Sequence, residues 1–176
     1  MIKGFGDISL RRINHRDIKS LQDWRNDEAI YKWCRQNDLI SDFDQQAWFD
    51  KQNTDPTTKM YAVDFDKYTV GVCGLTSIDY INRRAEFSLY ISPSQQNEGY
   101  GKLALMTLLK HGFDSLNLNS IWGECFQGNH AALMFEKLGM VKEGTRRQFY
   151  YKNGCYINAD LYSILLVEYR AQKWKN

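Results

Sequence analysis

The chain has 176 residues, 43% hydrophobic and 25% charged, with 12 Gly and 2 Pro. This suits one folded domain spanning 1–176 and excludes low-complexity and disordered classes. Lys and Arg total 23 against 21 Asp and Glu, a net charge of +2 spread along the chain, so electrostatics ask for no nucleic-acid partner. Cys34, Cys73, Cys125 and Cys155 form no C-x-x-C pair and have no His at ligand spacing. They read as reduced thiols of a cytoplasmic protein, with no metal site expected. The first residues lack the apolar run of a signal peptide. No stretch approaches the roughly 20 apolar residues of a membrane span, and no membrane partner is expected.

Ile8–Ile13 alternates as a half-buried strand. Asn14 is placed to cap a helix to about Trp24, with Asp17 in its first turn. A second helix is expected over Glu28–Arg35, and Ser41 with Asp44 predicts a capped helix to about Gln52. Met60–Phe65 and Thr69–Ser77 read as strands joined at Asp66-Lys67. In the strand Arg84–Ile91, Ala85, Phe87 and Leu89 face one way, and Glu86, Ser88 and Tyr90 the other. Gly101–Leu116 carries a helical apolar face. Ser120–Phe126 is a strand, Ala131–Leu138 a helix stopped by Gly139, and Val141–Tyr151 with Tyr156–Val167 a hairpin turning at Lys152-Asn153-Gly154. The order predicts a mixed α/β sheet with helices on its faces and one parallel crossover, residues 84–125.

Between that strand and helix lies Ser92-Pro93-Ser94-Gln95-Gln96-Asn97-Glu98, followed by Gly99-Tyr100-Gly101. Glycines here let the backbone approach a ligand, and the first helical N–H groups suit an anion. The segment lacks the Gly-Lys-Ser/Thr ending of a Walker loop and the glycine spacing of a dinucleotide fingerprint.

Gln96-x-x-Gly99-x-Gly101 resembles the Gln/Arg-x-x-Gly-x-Gly/Ala signature of the GNAT acetyltransferases. The resemblance extends through Arg83–Ile91, Ser120–Cys125, Asn129, Phe135-Glu136-Lys137-Leu138-Gly139-Met140, Glu143-Gly144 and Tyr162, over about residues 7–168. It is closest to the branch of ribosomal-protein N-terminal and spermidine acetyltransferases. It implies the GNAT fold, a mixed, mostly antiparallel sheet of about seven strands flanked by helices, with acetyl-CoA as co-substrate between the family's fourth and fifth strands. By the same resemblance Leu89, Tyr90 and Ile91 would pair with the pantetheine arm. Gln96, Asn97, Glu98, Gly99, Tyr100, Gly101 and Lys102 would hold the pyrophosphate, and Asn129 and Phe135 would lie along the cofactor arm. A backbone N–H near Tyr90 would polarise the thioester carbonyl.

An attacking amine must be neutral, so a base is needed at pH 7. Glu86 is the first candidate, although a strand Glu paired with Arg84 would look the same. Glu124 is the second, and Asp79 a third. Phe135 stands where many family members carry a proton-donating Tyr, and the Asn129–Phe135 spacing is one residue short. His130 beside them reads more simply as a surface residue at a helix start.

Trp24-Arg25-Asn26, Ile40-Ser41 and Trp48-Phe49 resemble the layout of nucleotide-aminosugar N-acetyltransferases. Trp24, Arg25, Ser77 and Tyr150 are the expected acceptor-binding residues, with Arg25 meeting a diphosphate. Trp at helical spacing is equally a core signature. The expected activity is acetylation of a small-molecule primary amine, an amino-sugar nucleotide. A protein N-terminus or a polyamine is the alternative acceptor, and a catalytically silent CoA-binding regulatory module the alternative of another class. A homodimer is left open.

Overall fold

A computed structural model describes residues 1–175. Eight strands form one sheet in the order β1-β2-β3-β4-β5-β6-β8-β7. They are β1 (Ile2–Lys3), β2 (Ile8–Arg12), β3 (Lys59–Phe65), β4 (Tyr68–Asp79), β5 (Arg84–Ile91), β6 (Ser120–Phe126), β7 (Val141–Lys152) and β8 (Cys155–Leu165). The helices are α1 (Ile18–Asn26), α2 (Glu28–Tyr31), α3 (Asp42–Thr54), α4 (Tyr100–Lys110), α5 (Ala131–Lys137) and α6 (Leu166–Arg170). Neighbouring strands are antiparallel except β5 and β6, which α4 joins as a parallel crossover.

The alternation read in β5 holds: Ala85 and Phe87 are buried in the main core with Leu105, Leu108, Leu109 and Ile121. A smaller cluster of Ile13, Leu21, Met60, Ala62 and Val72 packs Trp24, Trp48, Phe49 and Tyr90. Helices α1 and α3 supply Leu21, Trp24, Trp48 and Phe49 to that cluster.

Four boundaries differ from expectation. Strand β1, two residues against Leu10 and Ser9, is too short to show a period and raises the strand count above seven. The second helix ends at Tyr31, not Arg35. Beyond it, the buried Lys152 ammonium donates to the carbonyls of Cys34 (2.9 Å) and Gln36 (2.6 Å) and holds 32–36 in turns. Helix α4 gives way at His111 to a wider π turn, His111–Ser115, with Leu116 N–H bonded to His111 O. Gly112 there lies so close to Ile121 that a methyl group would stand 2.5 Å from its Cδ1. Finally, β8 stops at Leu165, whose N–H donates to Glu168 Oε2 (2.8 Å), and α6 follows.

Candidate active site

Strands β5 and β6 pair only at Arg84–Ser120, Ala85–Ile121 and Glu86–Trp122, then part. The Phe87 ring fills the near end of the opening. A methyl group on Gly123 would come within 2.4 Å of it, so the splay depends on Gly having no side chain there. Phe135 packs edge-on to Phe87 (5.1 Å between centroids) and to Tyr162 (5.5 Å), buried beneath the splay. The Tyr162 hydroxyl donates to Glu136 Oε1 at 3.3 Å and, chiefly through burial, is pushed up to about 12.

The free edge of β5 follows from its ladder. Ser92 N–H bonds to Val70 O (2.8 Å), and Tyr90 stands opposite Val72. Antiparallel alternation then turns the backbone groups of Glu86, Ser88 and Tyr90 towards β4, and those of Phe87, Leu89 and Ile91 into the splay. The N–H of Tyr90 itself is thus committed to the sheet, and the neighbouring amides turned into the splay belong to Leu89 and Ile91. The Tyr90 side chain lies in the smaller cluster, with the Arg25 guanidinium 5.7 Å from its ring centroid. Burial raises its hydroxyl pKa well above the usual tyrosine range.

At the far end of the splay the loop delivers the start of α4. Asn97 (φ 68°) and Gly99 (φ 85°) are left-handed, turning the chain so that the first amides of the helix point outward. No atom stands within 4 Å of where a side chain on Gly99 would begin. Gln96 Nε2 donates to Ile91 O (3.2 Å) and braces the loop. Glu98 and Lys102 are exposed beside it. Tyr100 instead turns its ring to Phe65 (4.6 Å between centroids). It lines a cleft of about 410 Å³ with Trp24, Tyr68, Ser92, Ser94 and Gln95. Trp24 is thus beside the loop, and neither Glu86 nor Glu124 lines that cleft.

Open amides at a helix start and a free strand edge fit a pyrophosphate and an extended amide-bearing arm, the two recognisable parts of CoA. Asn129 sits across the opening after β6, where its Oδ1 accepts from Ala131 N–H (2.9 Å) and starts α5.

The side chains of Glu86 and Glu124 meet over the parting strands. Arg35 bridges them: one nitrogen bonds Glu86 Oε1, and its Nε stands 3.0 Å from Glu124 Oε1. Burial opposes the charge on Arg35, but the Glu86 hydrogen bond and the attraction of Glu86 and Glu124 together outweigh it, so its pKa is raised. Glu124 also accepts from Arg146 (3.0 Å, at Oε2) and from the Tyr150 hydroxyl. Burial and then this hydrogen bond push Tyr150 up to about 12. Glu86 Oε2 has no hydrogen-bond partner among the described residues. Arg84 pairs instead with Asp79 (3.4 Å), and Asp79 caps the β4–β5 turn by accepting from the Ile81 and Asn82 amides. Ser77 is an exposed left-handed residue (φ 49°) in the β4 bulge.

Arg35, Arg146 and Lys152 carry site geometry that sequence reasoning did not single out. Their partners are tens of residues away, and only the clustering of basic and aromatic residues over 146–152 hinted at them. Arg25 bonds the Gln36 side chain, while its Nε is buried without a hydrogen-bond partner among the described residues.

A parallel crossover whose strands part, with free amides at one end and carboxylates at the other, defines a protein that holds an acyl-CoA thioester against an acceptor. The acetyltransferase (GNAT) domain family matches residues 7–141. The chain is 26% identical over 166 residues to the spermidine N(1)-acetyltransferase of Escherichia coli K12, covering 94% of this chain and 89% of that one. It is 27% identical over 125 residues to the acetyltransferase PseH of Campylobacter jejuni, covering 69% and 74% respectively. Among solved structures, the Vibrio cholerae spermidine N-acetyltransferase in complex with CoA and spermine superposes with a TM-score of 0.88 at 25% identity, covering 93% and 98%. The chain belongs to the GNAT family and is an acetyl-CoA-dependent N-acetyltransferase. No helix among the described residues is long and apolar enough to cross a membrane.

Proposed function

We propose that the enzyme acetylates the primary amine of a small molecule that also carries an anionic group, an amino-sugar nucleotide, by direct attack within a ternary complex. One observation carries this reading. Among the described residues, Arg25 and Lys152 border the acceptor side with no carboxylate in ion-pair range, and Arg25 keeps a buried, unused Nε. A guanidinium with no carboxylate partner and an N–H to spare suits a phosphate. The likeness to PseH over 69% of this chain is consistent with it.

Leu89, Ile91 and residues 96–102 hold the donor in this reading. Acetyl-CoA supplies the activated thioester; the amide facing the splay stabilises the developing oxyanion. Glu86 takes the ammonium proton through its free Oε2, whereas each Glu124 oxygen is already occupied. The departing thiolate requires no tyrosine at position 135, since solvent can protonate it. The unpaired thiols among the described residues support a cytoplasmic setting.

A polyamine acceptor is the second reading, favoured by the spermidine acetyltransferases among the relatives. Against it, three acidic residues of the first helices serve local structure: Asp27 caps α2, Asp44 bonds Ser41, and Asp23 pairs with Lys19. Protein, acetyl-CoA and UDP-glucosamine, spermidine or an N-terminal peptide, followed by mass spectrometry, test both. Acetylated amino-sugar nucleotide is expected; acetylation of spermidine or peptide alone rejects the first reading. CoA binding with no turnover on any amine would instead favour a regulatory module.

A further inference from the structure

We propose that Arg35 is the residue that selects the acceptor, by setting its own positive charge against the carboxylate that the acceptor's ammonium must reach. A proton can pass to Glu86 only if the amine nitrogen reaches its carboxylate. In the structure that carboxylate is already met by a cation from the chain itself, on the 32–40 segment 51 residues away in sequence. Its guanidinium spans two carboxylates on separate strands, as a bound cation would, and with Arg146 on Glu124 it balances their charge.

The three partners are not equally fixed. The Glu86 and Glu124 side chains are 13% and 3% exposed, whereas Arg35 is 48% exposed and is the member free to swing out. The backbone under it does not need to move: Lys152 holds the flanking carbonyls of Cys34 and Gln36, and Gln36 Nε2 donates to Arg25 O (3.1 Å). An acceptor therefore exchanges its own ammonium for Arg35. A bare polyamine displaces a cation and offers nothing in return. An acceptor with an anion near its amine gives the released guanidinium a new partner, so the exchange favours it.

The anionic acceptor rests on the reading above, while the competition between Arg35 and an amine does not. Arg35→Ala should lower KM for spermidine about tenfold and lower kcat/KM for UDP-glucosamine by a similar factor, with melting temperature and acetyl-CoA affinity unchanged. Calorimetric titration of spermidine reads the same tightening without turnover. Arg35→Gln, which keeps a hydrogen bond to Glu86 without the charge, gives the same opposite shifts if the alanine variant melts early. A merely structural role moves both acceptors in one direction, and that result, or an unchanged or weaker spermidine affinity, overturns the proposal. Should wild type acetylate no amino-sugar nucleotide, the functional reading fails, and spermidine binding in the variant still decides the role of Arg35.

Discussion

Glu86 and Glu124 are both strand carboxylates at the splay, yet their surroundings give them different capacities. Glu124 is almost fully buried and its two oxygens accept from Arg35, Arg146 and Tyr150. A carboxylate so held has no oxygen open to an incoming ammonium. Glu86 keeps one oxygen unused. Glu86→Gln should therefore lower kcat about a hundredfold, the lower range for general base catalysis, with acetyl-CoA affinity unchanged. A carboxylate base works only when ionised, so the variant should lose the acidic limb of the wild-type rate profile. Steady-state kinetics across pH give the answer; a variant with the same limb removes Glu86 as the base. Sequence alternation was sufficient to place Glu86 on the face opposite Phe87. It could not place Arg35, because nothing local links residue 35 to residue 86.

At the scale of elements, the side proposed for the acceptor is a segment pinned from outside itself. Lys152, at the end of β7, reaches back 118 residues to the Cys34 carbonyl, and its ammonium lies 3.8 Å from the centre of the Tyr31 ring. Burial depresses its pKa, and its partners are carbonyls and a π face. Lys152→Met keeps the aliphatic length and removes all three donors. Acceptor KM should rise about tenfold while acetyl-CoA affinity stays constant, since the cofactor edge of β5 and the start of α4 are separate from this tie. Isothermal titration with CoA and acceptor kinetics separate the two; parallel loss of both would show that the tie supports the whole sheet. The fold around the proposed cofactor edge was legible because its signals are local: Gly99 and Gly101 at a helix start, an alternating strand before it, and a second strand at crossover distance. The acceptor half was not, because it is made by contacts between α2, the 32–40 segment and β7. Local periodicity instead suggested that the second helix runs on to Arg35.

The whole molecule joins its smaller layer to the sheet through one charged node. Arg11 on β2 grips Asp17 with two nitrogens (2.7 and 2.9 Å), reaches Asp64 on β3 (2.7 Å) and donates to Thr69 on β4 (2.8 Å). Asp17 accepts the Asn14 amide as well (2.7 Å), so the turn into α1 and three strands are locked together. Burial by itself pushes the Asp17 carboxyl up; Arg11 and the Asn14 amide outweigh it and hold the group below its ordinary 3.8. A carboxyl with a lowered folded-state pKa adds stability that is complete above the unfolded value and is lost as pH falls through the folded one. The Asp17 and Arg11 side chains are 7% and 13% exposed, so solvent screens the pair little. Asp17→Asn should cost about 3 kcal/mol at neutral pH, the lower end for breaking a buried ion pair from one side. Below about pH 3.8 the unfolded wild-type chain takes up a proton at Asp17, so the gap between the two proteins should narrow as pH falls towards the lower folded value. Urea unfolding at about pH 7 and about pH 3 measures both gaps. An equal difference at the two values would mean that the loss comes from packing around α1 rather than from the charge that ties this layer to the sheet.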